Sequence, residues 1–405
     1  MLVREVYFAI GLLTLATVFY YLINSYSSMR YISQTDYSLV DPNKATIVIP
    51  VYNEKENIFT EAIDSVSRQG CSFVVVGDSS YEPYKAITET RGGLFVHQKS
   101  RQGKKKALAL AMGYLSTEYV MFMDSDTILP ENAVSSMMSH FVNNVGGVGA
   151  NLTIKKTGDP ISYASEFVER SREVIFRAMS AHGNVMNLDG ACVMYRTDII
   201  RPFIMSKEFS DFSIMGKSSP LGDDWQMTGY IIKNGYKAVK DYTTKVQCYP
   251  QENVKKFFRQ NLRWSRSNWI RFGRELREGT IIKAGGFYTL EMVYTFALPF
   301  IALGIGIFKL YSFFLFNHAS FQAGDIFAFA LFGDLNTLGS HLFIRVAVAL
   351  MNLGGSAIFL GAVVQRMSGE RLKTIAYGAL ALGVLFVTSI YGLLTFWKGN
   401  SWGTR

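Results

Sequence analysis

Hydrophobic and polar positions fall into three textures along the chain. Val6 to Ile23 is an unbroken apolar and aromatic run of eighteen residues, close to what a helix needs to cross a hydrocarbon core. It ends in Phe19-Tyr20-Tyr21, where a cleaved leader would end in small residues, so the run predicts a membrane anchor within residues 1–30. From about Asp36 to Lys283, short β-branched runs alternate with helical spacing. Thr46-Ile47-Val48-Ile49, Phe73-Val74-Val75-Val76 and Tyr119-Val120-Met121-Phe122-Met123 each lead into polar or acidic residues. Buried parallel strands with ligand groups at their carboxyl ends read this way. Ile58 to Arg68 and Lys104 to Leu115 carry a helical period between them. Residues 36–250 are therefore expected to form an α/β, Rossmann-like domain.

After Ala284 the chain turns apolar again. The stretches 287–316, 342–364 and 375–397 are long enough to span a bilayer, whereas 326–335 is too short and reads as a re-entrant or interfacial piece within the final region, 284–405. Between the two textures, residues 251–283 form a basic amphipathic segment with nine basic and three acidic residues. The loop between the last two spans adds Arg366, Arg371 and Lys373, while residues 317–340 hold no Lys or Arg. That asymmetry places the α/β domain on the cytoplasmic side of a cell membrane, with both termini outside.

Composition narrows the classes. The 405 residues are 49% hydrophobic, 14% aromatic and 18% charged, too apolar for disorder. Three cysteines without paired spacing argue against a disulfide scaffold or a structural zinc site. A net charge of +9 admits nucleic acid, anionic lipid or a phosphorylated substrate. Its concentration in 251–283, interleaved with Phe257, Phe258, Trp264, Trp269 and Phe272 directly before a span, favours the lipid bilayer as partner and not nucleic acid.

Three motifs carry chemistry. Asp124-Ser125-Asp126 follows an apolar strand, so two carboxylates stand where a cleft opens and can share Mg²⁺ or Mn²⁺ with a diphosphate. By itself the triplet also describes a solvated loop. Gly222-Asp223-Asp224 precedes a helical stretch, and its carboxylates can cap that helix or accept a proton from a hydroxyl. Gln260-Asn261-Leu262-Arg263-Trp264 places an amide, a guanidinium and an indole close together. Arg263 can fork onto a pyrophosphate and Trp264 can face a sugar ring.

In this order the motifs resemble those of the membrane-integrated, inverting family 2 glycosyltransferases that polymerise nucleotide sugars, hyaluronan and chitin synthases above all. The resemblance covers about residues 44–280, the arrangement of spans, and the terminal Ser401-Trp402-Gly403-Thr404-Arg405. It implies a GT-A-like cytoplasmic catalytic domain joined to a transmembrane helical region, with interfacial helices at about 161–182 and 252–272. Pro50-Val51-Tyr52-Asn53-Glu54 matches the family's nucleotide turn, which implies that Tyr52 packs on uracil with Asn53 and Glu54 beside it. Gly77-Asp78-Ser79-Ser80 lacks the first of two acidic residues usual there, leaving Asp78 to hold the base; Gly103-Lys104-Lys105 puts Lys104 near the diphosphate. Asp124 would contact the nucleoside, Asp126 the metal, and Asp224 would be the general base, with Asp223 beside it. Gln260, Arg263 and Trp264 match the family's Gln-x-x-Arg-Trp motif. Asn187 to Cys192, with Gly190-Ala191 at its centre, resembles the acceptor-side turn. Trp225 stands where hyaluronan synthases usually have Arg.

The expected function is processive polymerisation of UDP-sugars, N-acetylglucosamine among them, onto a growing polysaccharide exported through the spans. Transfer of one sugar to a lipid phosphate carrier is the alternative enzyme, and Gln260, Arg263 and Trp264 weigh against it. A transporter with a nucleotide-binding domain is the non-enzymatic alternative.

Overall fold

The computed structural model describes residues 2–214, 217–219, 221–316 and 342–398. The expected re-entrant piece at 326–335 and the terminal Ser401 to Arg405 lie outside the described residues. Helix α1 (Leu2–Arg30) leads into β1 (Ala45–Val51), α2 (Glu56–Ser67), β2 (Ser72–Asp78), α3 (Tyr84–Glu89), β3 (Leu94–Gln98), α4 (Lys104–Met112) and β4 (Tyr119–Met123). Then follow β5 (Thr127–Ile128), α5 (Ala133–Ser139), β6 (Val145–Ile154), α6 (Pro160–Ala181), β7 (Cys192–Arg196), α7 (Thr197–Ile204), α8 (Lys207–Ser210), β8 (Ser213–Ile214), β9 (Lys217–Ser218), α9 (Asp223–Lys233) and β10 (Lys237–Cys248). The helical end comprises α10 (Val254–Glu278), α11 (Thr280–Lys283), α12 (Gly286–Phe316), α13 (Leu342–Gln365) and α14 (Arg371–Leu393).

Among the described residues, one mixed sheet runs β3-β2-β1-β4-β7-β6-β10-β5. The apolar runs lack alternation because both faces are covered. Val48, Val74, Val76, Val120 and Phe122 enter one core, and Ile47, Ile49, Val75, Met121 and Met123 the other. β1 pairs in parallel with β2 and β4, so their carboxyl ends open on one edge, where crevices form in such sheets. β7 runs antiparallel to β4 with Cys192 opposite Met123. That reversal brings the turn just before β7 to the same edge. The turn lies flat on β6 because Gly149 has no side chain: a Cβ there would fall 2.5 Å from the Leu188 carbonyl oxygen.

The helical end is built on α14. Its inner face is small, with Thr374, Gly378, Ala381, Thr388 and Gly392 buried, and its outer face exposes Leu372, Leu380, Leu382, Phe386, Val387 and Tyr391. Small residues let helices approach closely: Gly378 receives the Phe167 ring of α6, and Gly392 receives Ser265 of α10. The helix expected near 161–182 forms at α6 but is buried along most of its length, packed between the sheet and the apolar helices. The segment at 252–272 is the first part of a longer helix, α10, started by Asn253, whose side chain accepts from the Lys256 amide. The last expected span, 375–397, is displaced: the helix runs Arg371–Leu393, and the Thr395 hydroxyl caps the Tyr391 carbonyl at 2.6 Å. Among the described residues, Arg371–Leu393 is the one helix long and apolar enough to cross a membrane.

Candidate active site

Five chain segments meet at the carboxyl edge of the sheet. The first is the turn after β1, where Asn53 adopts φ 48° and its amide donates to Ser80 Oγ at 3.1 Å. Glu54 joins this turn to the next segment by accepting from Ser125 Oγ at 3.2 Å. Tyr52 offers its ring at the rim, where the Arg101 guanidinium lies 3.9 Å from the ring centre. A base stacking on Tyr52 therefore uses the face opposite Arg101 or displaces that side chain.

Asp78 ends β2, buried, and is fully engaged. Oδ1 accepts from Gln98 Nε2 (2.7 Å) and the Gln102 amide (2.8 Å), and Oδ2 from the Gly103 amide (2.9 Å). The side chain expected to hold the base holds the loop that starts α4. That loop sets the direction of Lys104, the first residue of the helix.

Lys104 is the hub. Its Nζ lies 2.8 Å from Asp124 Oδ1, 3.0 Å from Asp223 Oδ2 and 3.3 Å from the Gly190 carbonyl. Burial opposes its charge, but the two carboxylates outweigh burial and raise its pKa. Asp124 also donates its amide to the Ala191 carbonyl at 3.1 Å, tying the β4 end to the turn before β7. Gly190 sits against the cluster: a Cβ there would meet Lys104 Nζ at 3.1 Å, Asp224 Cβ at 3.5 Å and Asp223 Oδ2 at 3.6 Å. The sequence thus names Lys104, Asp124, Gly190, Asp223 and Asp224 separately, and the fold brings all five together.

The two carboxylates that open α9 are driven apart in acidity. Burial raises both, but Lys104 more than offsets it at Asp223, whose pKa is lowered. At Asp224 burial and the Asp223 charge act together, and the pKa is raised. Asp224 accepts from the Trp225 amide at 2.8 Å and from Asn187 Nδ2 at 2.9 Å. Gly222, at φ 83°, makes the turn into the helix, and a Cβ there would strike the Trp225 indole. A carboxylate with raised pKa beside a partner of lowered pKa divides the work of a proton acceptor and a charge anchor.

Several residues that the sequence offered without an individual role, and two that it did not offer, join the site here. Lys105 is buried over the Phe212 ring at 4.6 Å, and burial lowers its pKa to about 8. Trp225 is buried and donates Nε1 to Ser267 Oγ of α10 at 3.0 Å. Asn187 and Asp189 form a relay behind Asp224 with Arg172 and Lys240. Nothing in their spacing signals this, since Arg172 is on α6 and Lys240 on β10.

Gln260, Arg263 and Trp264 lie on α10, one and two turns before Ser267 on the same side of the helix. Trp264 is 37% exposed. The same helix reaches α14 through Trp269 Nε1 to the Ser389 carbonyl (2.9 Å), and the turn after α14 through Arg266 Nε to Thr395 Oγ1 (3.1 Å). α10 thus connects the α9 terminus to the apolar helices.

Asp124 and Asp126 supply only carboxylate oxygens, and the Asp124 side chain is 40% exposed. Among the described residues no group of three or more His, Cys, Asp or Glu is arranged to hold a metal. That donor set fits a hard cation bound by one or two carboxylates with the remaining positions left for substrate phosphates.

The family model described as "Glycosyl transferase family 2" matches residues 46–203. N-acetylglucosaminyltransferases of Azorhizobium caulinodans and Rhizobium meliloti are 25% and 27% identical to this chain, over 56% and 55% of it. The matched parts are 60% and 55% of those proteins, so the chain spans little more than half the length of these curated relatives. A hyaluronan synthase of Streptococcus pyogenes is 25% identical over 89% of this chain and 83% of its own length. Among solved structures, a mannosyltransferase from Pyrobaculum calidifontis in complex with GDP-Man and Mn²⁺ superposes with TM-score 0.57 at 16% identity, over 87% of this chain and 98% of that one. The likeness shows a shared GT-A-like α/β fold.

Proposed function

We propose that this chain, whose residues 46–203 carry a family 2 glycosyltransferase domain and which resembles hyaluronan synthases, polymerises UDP-activated sugars by inverting transfer into a β-linked polysaccharide. N-acetylglucosamine is the favoured sugar, supported by the names of two relatives. The single observation that carries the reading is the environment of Asp224: a carboxylate of raised pKa within one cluster with Lys104, Asp124 and Gly190.

In this reading the acceptor hydroxyl gives its proton to Asp224 as its oxygen bonds the anomeric carbon. The bond from that carbon to the diphosphate breaks on the opposite face, and the configuration inverts in one displacement. Lys104 and Arg263 offset the charge of the departing diphosphate. Tyr52, Asn53 and Glu54 border the nucleoside, and Asp78 acts on it through the 99–103 loop. Asp126, with Asp124, would hold Mg²⁺ or Mn²⁺, which supplies Lewis-acid stabilisation of the diphosphate when bound. Trp264 and Gly190 border the acceptor, and Gln260 lies on the Arg263 side of α10.

The domain division follows the same lines: a 1–30 anchor, a cytoplasmic catalytic domain over 36–250, the interfacial segment 251–283, and spanning helices after 284. The outward apolar face of α14 and the exposed Leu350, Met351, Leu353 and Ile358 of α13 support contact with lipid. Export of the product through these helices is part of the proposal.

The test is nucleotide release by the detergent-purified protein with Mn²⁺ or Mg²⁺, offered UDP-N-acetylglucosamine, UDP-glucuronate and UDP-glucose singly and in pairs, with product sized on a gel. High-molecular-weight product from one sugar is the expected result; product only from a pair makes the enzyme a copolymerase. Turnover without polymer replaces this reading with transfer to a lipid phosphate, and no turnover with any donor overturns it.

A further inference from the structure

The proton acceptor proposed above is held from behind by an amide with no role in the reaction scheme. Asn187 Nδ2 lies 2.9 Å from Asp224 Oδ2 and 3.2 Å from Asp189 Oδ1. One NH₂ group thus serves two carboxylates. The orientation of the amide is fixed by chemistry, because an ionised carboxylate only accepts, and the reverse orientation would set the Asn187 oxygen against two anions. Among the described residues the Asn187 Oδ1 is buried without a hydrogen-bond partner, a desolvation cost accepted in order to donate to both sides.

Asp189 is itself immobilised. It is buried, with φ 55°, a backbone conformation that non-glycine residues seldom adopt. Its Oδ1 accepts from Arg172 of α6 and its Oδ2 from Lys240 of β10. Burial works against its charge, but the two cations prevail and hold its pKa at about 2. It therefore stays an acceptor at any working pH. Arg172 is in turn paired with Glu169 at 2.9 Å, so the support reaches into the buried helix α6.

We propose that Asn187 is a positioning residue for Asp224, locked by the Asp189–Arg172–Lys240 relay so that the carboxylate faces the acceptor hydroxyl in one orientation. The inference rests on the glycosyl-transfer reading and deepens it. The turn's backbone lies against the sheet at Gly149 and holds Leu188 by its amide to Thr228 Oγ1 at 3.2 Å, so α9 and the turn move as one body. The charged and titratable groups around Asp224 are Asp223 on its own helix, Lys104 and Lys105 from α4, Asp189 from the turn and Tyr195 from β7. Of Asp224's contacts, the Asn187 hydrogen bond is one that favours the ionised carboxylate.

The experiment compares wild type with Asn187→Ala and Asn187→Asp in the donor assay, recording kcat, KM for the UDP-sugar and the pH profile, alongside UDP binding as a check of folding. Expected is a 10- to 100-fold fall in kcat, a donor KM and UDP affinity within about threefold of wild type, and an acid limb moved to higher pH by roughly one unit in Asn187→Ala. Asn187→Asp, which keeps the size and adds a charge, should move it further. A UDP-binding Asn187→Ala with wild-type kcat and an unmoved acid limb overturns the proposal. If Asn187→Ala does not fold, Asn187→Asp decides by the same two readings, because its volume is unchanged. A wild-type protein that binds UDP but transfers no sugar overturns the transfer reading first and this one with it.

Discussion

The acidic cluster and the α10 motif are two halves of one proposed site, and they are assembled by different physics. In the cluster, Lys104 Nζ lies within 3.3 Å of Asp124, Asp223 and the Gly190 carbonyl, with Asp224 beside Gly190. On α10, Gln260, Arg263 and Trp264 are held at a remove, through the Trp225 to Ser267 hydrogen bond on one side and helix packing against α14 on the other. The first half is fixed by a sheet edge and fails when a charge is lost. The second is fixed by small residues on an apolar helix and fails when that helix is pushed away.

The comparison can be broken most severely at Asp224. Asp224→Asn should lower kcat by about 10³-fold, the scale of losing a positioned base, with UDP affinity unchanged by equilibrium binding. Wild-type activity should fall on the acid side as the raised carboxyl, above the ordinary aspartate value of 3.8, takes up its proton; that limb should vanish from the residual activity of the variant. Wild-type UDP affinity lost along with turnover would instead make the cluster a single structural unit.

Next in size, Lys104→Met removes the counter-ion of Asp223, whose side chain is 14% exposed. Breaking such a buried pair costs about 3 kcal/mol, measured by denaturant unfolding. Asp124, 40% exposed, regains solvent and adds little. Because the folded pKa of Asp223 is lowered, its stabilisation is present above the unfolded value and lost as pH falls. In the variant that acid-sensitive part of the stability curve should be absent; a variant with an unchanged curve would remove Lys104 as the hub.

The smallest effect sharpens the other half. Gly392→Ala places a Cβ 2.2 Å from Ser265 Oγ and 2.8 Å from Ser265 Cβ, so rotating the hydroxyl does not relieve the clash. The expected cost is about 2 kcal/mol of overpacking, read as a lower melting temperature in detergent. Nucleotide affinity should stay at the wild-type level, because the cluster does not depend on this seam. Weakened UDP binding in the variant would show that the two halves are coupled.

How legible each half was follows from the same difference. The apolar runs at 46–49, 73–76 and 119–123 identified β1, β2 and β4, since strands buried on both faces must be continuously apolar. The acidic residues after them fell at the crevice because parallel strands end on one edge. Asp78 illustrates the limit: its position was legible, but its three hydrogen bonds to Gln98, Gln102 and Gly103 depend on a loop path that no period encodes. The burial of α6 was equally hidden, because its charged residues pair with one another, as Arg172 does with Glu169 at 2.9 Å, and with distant elements, as Glu173 does with Arg366 at 3.7 Å.

The sequence by itself determined the α/β alternation, the apolar helices and the chemical types of Asp124, Asp223, Asp224, Lys104 and the Gln260 to Trp264 motif, because periodicity and local composition are properties of adjacent residues. Only the tertiary structure decided that Lys104 would bind two carboxylates from different segments, that Asp223 and Asp224 would differ in acidity, and that Asn187 would stand behind Asp224. Acidity and orientation depend on burial and on charges brought close across the chain, and the separation between residues 104, 124, 187 and 223 in sequence carries no information about their separation in space.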